Sequence, residues 1–83
     1  MLTPQERENL AILCDEIISA KVALKKADAR SQARRDAALA EGRDPTDEAG
    51  DVERRELGRA TKAAQQAFDL AMYAAVQERL ENG

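Results

Sequence analysis

The fold is decided by residues 40–47, AEGRDPTD, at the middle of the chain. Gly42 follows a helical pattern and suits the left-handed conformation that ends a helix. Asp44 and Pro45 follow at once, as a capping side chain and the residue favoured at the first helical position. A link of three residues, 42–44, returns the chain along the helix that it has just left. The stretch therefore predicts two antiparallel helices.

The N-terminal end carries a second helix-start signal. Thr3, Pro4 and Glu6 form the pattern of a capping box, in which the Thr and Glu side chains satisfy free amides of the first turn. The sequence thus predicts an all-α fold, an antiparallel helical hairpin in a single domain of residues 1–83. The predicted elements are a helix over residues 4–41, a turn over 42–44 and a helix over 45–82, each helix about 57 Å long.

One boundary has an alternative. Residues 46–51 are rich in acids and include Gly50, which weakens a helix interior. The stable part of the second helix is then expected to begin only near Val52.

Apolar residues follow a helix–helix repeat, with steps of three and four residues. In the first helix they are Leu10, Leu13, Ile17, Ala20, Leu24 and Ala27. In the second they are Leu57, Ala60, Ala64, Ala67, Ala71 and Ala75, with Phe68 and Met72 alongside. Alanine-rich seams allow two helices to pack at the short end of the usual 8–10 Å separation.

Large apolar side chains concentrate near the two termini, which an antiparallel hairpin brings together. We call this end the base; the turn half is charged and alanine-based and is expected to be the less stable half. On a helical wheel Ile12, Leu70 and Tyr73 point away from the seam. One hairpin cannot cover this second apolar face. The sequence therefore predicts a helical-bundle oligomer whose interface, with itself or with a partner, includes these three residues.

Composition excludes several classes of function. The chain has one cysteine, Cys14, and no histidine, so no metal-ligand set, cofactor motif or catalytic pair is expected, and we predict that the protein is not an enzyme. Cys14 itself is interpreted as a small buried hydrophobic residue. An unpaired thiol and the absence of a signal-peptide pattern favour a cytoplasmic location, and no segment suits a bilayer. The net charge of −3 makes duplex DNA an unfavoured partner.

Three cations are candidate anion ligands. Arg30 and Arg34 share a helix face and suit a phosphate, as does Lys21 at an intersubunit seam. The structural alternative for the arginines, which we favour, is cross-hairpin pairing with Asp51, Glu53 and Glu56. For Lys21 the favoured alternative is an ammonium that reaches solvent over an apolar stem, or that pairs with Asp69.

Two segments carry a family resemblance. Residues 65–77, QQAFDLAMYAAVQ, and residues 2–6, LTPQE, resemble the last helix and the first-helix entry of phage helical-hairpin proteins that sequester cyclic-nucleotide immune signals. The resemblance implies a hairpin oligomer that holds a cyclic nucleotide between its subunits. No tryptophan precedes Gln65, unlike in that family, and the family's ligand-binding residues have no matched positions in this chain.

These observations predict a non-catalytic, oligomeric interaction protein. The leading hypothesis is a small adaptor or inhibitor, of the kind phages and mobile elements use in anti-defence, that binds a host protein. One alternative is a sponge for a cyclic nucleotide signal, with Lys21 and the arginines on its phosphates. The other is an RNA-binding hairpin dimer that resembles plasmid copy-control proteins.

Overall fold

Two long helices make up the molecule. The computed structural model describes residues 1–82, in which helix α1 spans Pro4–Ala40 and helix α2 spans Glu48–Asn82. They pack against each other in a rod of 66 × 17 × 12 Å. The predicted all-α helical hairpin is confirmed. Across residues 1–82, neither helix combines the length and the apolarity that crossing a membrane requires.

Both ends of α1 follow the signals in the sequence. At its start Thr3 and Glu6 form the predicted capping box: the Glu6 amide donates to the Thr3 hydroxyl at 3.1 Å, and the Thr3 amide donates to the Glu6 carboxylate at 2.9 Å. At its end Gly42 adopts a φ of +73°, and the Arg43 amide donates to the Ala38 carbonyl at 2.7 Å. This is the Schellman arrangement that a C-terminal glycine makes possible.

The start of α2 differs from the prediction: it begins at Glu48 instead of Pro45. The Asp44 carboxylate accepts hydrogen bonds from the amide and the hydroxyl of Thr46, so it closes a turn instead of capping a helix. Asp47 takes the capping role, because its carboxylate accepts from the Gly50 amide at 3.2 Å. The helix is nevertheless formed well before Val52, with Gly50 inside its first turn.

The seam between the helices is built from small residues. Every predicted α1 seam residue is partly or fully buried, but in α2 Ala60 and Met72 are exposed, and Thr61 and Phe68 lie at the seam. The fully buried residues are Ala27, Ser31, Ala38, Gly50 and Ala75. Four of these five lie between residues 27 and 50, toward the turn. At the base the large side chains are only partly covered.

Candidate binding surfaces

Two ion pairs mark the two sides of the hairpin. On one side Arg30 donates to Glu53 at 2.5 Å; on the other Arg35 donates to Asp51 at 2.8 Å. Residues seven apart keep the same position beside a seam with a 3.5-residue repeat. Each pair therefore identifies a row of side chains that runs the length of its helix.

The side marked by Arg35 and Asp51 is called the basic side. Its inner rows are Arg7, Cys14, Lys21, Asp28 and Arg35 on α1, and Asp51, Gly58, Gln65, Met72 and Arg79 on α2. The next rows outward add Ala11, Ile18, Lys25, Gln32 and Leu39 on α1, and Arg55, Lys62, Asp69 and Val76 on α2. Seven cations and three carboxylates make this side net positive.

The side marked by Arg30 and Glu53 is called the alanine side. Its α2 rows have Glu53 and Glu56 at one end and Gln77 and Glu81 at the other. Between them lie Ala60, Ala63, Ala67, Ala74 and Leu70, and all five except Ala67 are exposed. The outer row of α1 holds Ile12. Because Glu6 lies beside Arg79 and Arg30 lies beside Glu53, Ile12 and Leu70 lie at about the same height along the rod. Ile12 is 51% exposed and Leu70 is 69% exposed.

Tyr73, the third predicted interface residue, is one turn from Leu70 but lies outside the alanine side. Its heptad position is on the outward back of α2, where it is 64% exposed and shares a row with Leu80. The exposed Val76 lies in the next row on the basic side, and the exposed Met72 lies in the inner row beyond it. Tyr73 lies one helical turn from Leu70, so the predicted second apolar face consists of two adjoining surfaces: an alanine-side surface and a Tyr73 surface on the back of α2.

The arginines proposed as anion ligands lie against carboxylates. Arg34 donates to Asp47 from both Nε and Nη2, at 3.1 and 2.8 Å, and Arg30 pairs with Glu53. Glu53 is an expected partner, whereas Asp47 is not: it lies inside the predicted second helix but precedes α2 in the structure. The same Asp47 carboxylate accepts a 2.8 Å hydrogen bond from Ser31, whose side chain is completely buried. These contacts tie the start of α2 to α1.

The base is closed by a contact that the sequence did not reveal. Arg79 donates to both carboxylate oxygens of Glu6, at 2.9 and 2.6 Å, and to the carbonyl oxygens of Met1 and Ala75. Arginine and glutamate 73 positions apart give no local signal, so only the register of the finished hairpin identifies this pair. Glu6 thus serves both the capping box and the clasp between the termini.

Two other predicted residues lie on the basic side. Within residues 1–82, Lys21 has no carboxylate within 4.0 Å; Asp69, its suggested partner, instead accepts a hydrogen bond from Gln65. Cys14 is exposed, so the interpretation of this thiol as a buried residue is wrong for the single hairpin. It lies beside the seam, one heptad from Lys21, where the narrow alanine-rich interface does not cover it.

Two carboxylates link the fold to pH. Hydrogen bonds from Arg79, with a further one from Thr3, lower the pKa of Glu6 to about 2. Hydrogen bonds from Arg34 and Ser31 lower the pKa of Asp47 to about 2. Both pKa values lie below those of the unfolded chain, so their stabilisation is complete above about pH 5 and is lost as the pH falls toward 2. Acid therefore loosens the base and the start of α2 together.

We expect the melting temperature of the wild type to fall steadily between pH 5 and pH 2, and that of the double variant Glu6→Gln/Asp47→Asn to fall less. Circular dichroism melts across this range test the prediction. Parallel pH profiles for the two proteins would show that these carboxylates do not carry the acid sensitivity.

Comparisons with protein-family models, with curated proteins and with solved structures found no match to this chain.

Proposed function

We propose that this chain is a non-catalytic interaction protein that assembles with itself and binds a protein partner. The main observation behind the proposal is that many large apolar side chains of the hairpin are exposed, whereas the residues that it buries fully are all small. Leu70, Tyr73 and Leu80 are 69%, 64% and 72% exposed. Burial of such side chains is worth about 1.5–3 kcal/mol each, so a second surface that covers them gains substantial free energy.

The alanine side suits a second copy. Its exposed alanines let another backbone approach closely, and Ile12 and Leu70 supply larger side chains at one height. A twofold axis through that height would place the same patch of each copy against the other, as in most dimers, and would produce a four-helix bundle. The self-association surface is thus the alanine side.

The Tyr73 surface is left for the partner. Tyr73, Leu80, Val76 and Met72 form an apolar area at the base, and tyrosine is enriched among the residues that dominate binding energies. This arrangement fits a small adaptor or inhibitor of the kind that phages and mobile elements encode. Its partner is then a protein with an apolar docking site.

Sedimentation equilibrium at micromolar concentration tests self-assembly, and a stable monomer would contradict it. Affinity capture from host lysate with wild type and with Tyr73→Lys tests the partner surface. A partner retained by the wild type and lost by the variant is the expected result. Equal retention by both proteins would show that Tyr73 is not at the binding surface.

A further prediction concerns amide hydrogen exchange, because the single hairpin and the oligomer are expected to protect the amides of different ends of the rod. In the hairpin alone, buried residues cluster between Ala27 and Ala38, so slow exchange is expected there. Assembly covers the base, so residues 13–18 and 68–72 should become slower than residues 30–55. Exchange measured at high and low protein concentration should show this protection at the base disappear on dilution. Protection that does not depend on concentration would argue against self-assembly.

A further inference from the structure

Charge is segregated along the rod. Residues 1–19 and 64–82, the base, carry two cations and seven carboxylates; residues 29–53, the turn half, carry four cations and seven carboxylates. Residues 20–28 and 54–63, which form the middle of the rod, carry seven cations and only two carboxylates. The net charge of −3 therefore conceals a basic middle of +5 between two acidic ends.

Six of the seven cations of the middle have no carboxylate partner. In the turn half all four arginines lie in ion pairs. In the middle, over the described part of the chain, Arg54 is the only cation with a carboxylate within 4.0 Å. The other six are exposed and unpaired: Lys21, Lys25, Lys26, Arg55, Arg59 and Lys62.

Four of these six cations share the basic side. Lys21 and Lys25 lie on α1, and Arg55 and Lys62 lie on α2. By the register of the ion pairs Lys21 is level with Lys62, and the four span about 12 Å along the rod at 1.5 Å per residue. Asp28 is the one carboxylate of the middle on this side, so four cations outnumber it and the surface keeps a positive potential.

Gly58 lies at the centre of this cluster, level with Lys25 on the inner row of α2. A glycine inside a helix is destabilising compared with alanine, so a structural reason for it is expected. Packing within the hairpin supplies none, because a Cβ atom at Gly58 would meet nothing within 4 Å. Gly50 is the contrast, since a Cβ there would overlap Asp47 and lie 2.9 Å from Arg34. The absence of a side chain at Gly58 leaves the backbone of α2 open to close approach by a ligand.

We propose that Lys21, Lys25, Arg55 and Lys62 bind the phosphodiester backbone of a nucleic-acid strand that passes over Gly58. Phosphate suits four exposed cations that have no carboxylate partner, and the missing side chain lets the backbone of the strand come close. The surface is open, as an extended ligand requires, whereas small molecules prefer concave sites. The acidic ends repel a polyanion, so the strand crosses the rod at its middle. Both aromatic residues, Phe68 and Tyr73, lie in the base, so the site has no platform for stacking bases and binds without sequence preference.

This site goes beyond the proposed function and is independent of it, because it lies on the basic side and leaves the alanine side free for assembly. Fluorescence anisotropy with a labelled 20-nucleotide uridine strand measures it directly. With four phosphate contacts the association constant should fall by roughly 50-fold between 50 and 200 mM salt. The double variant Lys21→Gln/Lys62→Gln should bind more weakly and with a shallower salt dependence.

Gly58→Gln provides the sharper test. The substitution should raise the melting temperature, because glutamine is a better helix former, and should weaken strand binding severalfold, because its side chain occupies the path of the strand. Arg7→Gln is the matched control: Arg7 is exposed, unpaired in the described chain and on the basic side, but lies in the base. It should leave binding unchanged.

Three results would overturn the proposal. One is the absence of strand binding at 50 mM salt, and another is equal binding by wild type, Gly58→Gln and the double variant. The third is binding of uridine monophosphate or a cyclic dinucleotide as tight as that of the strand, which would identify a small phosphate ligand instead. Sedimentation of the same samples keeps this result separate from that for self-assembly.

Discussion

Replacement of Leu70 with glutamate is expected to dissociate the oligomer. Leu70 is 69% exposed in the single hairpin and lies on the alanine side level with Ile12, so a second copy packed there would bury it. A buried carboxylate without a partner costs several kcal/mol. A loss of about 3 kcal/mol already weakens self-association by more than a hundredfold, and a twofold interface contains the substitution twice. Sedimentation equilibrium over a range of concentrations measures the change.

Leu39→Glu is the matched control for this substitution. Leu39 is 62% exposed, nearly as much as Leu70, but it lies in the turn half and on the basic side. Glutamate there should leave the dissociation constant of the oligomer unchanged, and both variants should remain helical by circular dichroism. Equal dissociation by the two variants would indicate a general effect of added charge. No dissociation by Leu70→Glu would remove the alanine side as the assembly surface.

The hairpin itself was predictable because its signals are local. The capping box at Thr3 and the C-terminal glycine at Gly42 act within a few residues, and both are confirmed. The start of α2 was predicted wrongly because two aspartates compete for the capping role. Asp44 and Pro45 satisfy the local rule, but Asp47 also reaches Ser31 and Arg34 on α1. A tertiary contact therefore decides a boundary that the local pattern places three residues earlier.

The candidate surfaces were predictable only in part, for a related reason. Periodicity within one helix predicts that Ile12, Leu70 and Tyr73 avoid the seam, but it cannot predict that Ile12 on α1 lies at the same height as Leu70 on α2. The clasp between Glu6 and Arg79 and the cation cluster around Gly58 each combine residues from both helices. They become visible only when the register between the helices is known, and the flanking ion pairs supply that register.

Two glycine substitutions in α2 are expected to change stability in opposite directions. A Cβ atom at Gly50 would overlap the Asp47 carboxylate, 2.7 Å from its Cγ, so Gly50→Ala must displace a side chain that Ser31 and Arg34 hold in place. The buried Ser31 hydroxyl then loses its partner, which costs about 1–3 kcal/mol, and the loss of the helix cap adds to this cost. The better helix propensity of alanine offsets no more than about 1 kcal/mol. We therefore expect Gly50→Ala to lower the free energy of unfolding.

At Gly58 the same change meets nothing within 4 Å, so only the propensity term remains and Gly58→Ala should stabilise the protein by up to about 1 kcal/mol. Urea denaturation of wild type and both variants, at one protein concentration so that assembly contributes equally, compares the two. Effects of the same sign would contradict the account of Gly50, because helix propensity alone predicts stabilisation at both sites. Changes of opposite sign in the free energy of unfolding would show that the contact of Asp47 with α1 holds the start of α2. They would also show that packing within the hairpin does not require a glycine at position 58.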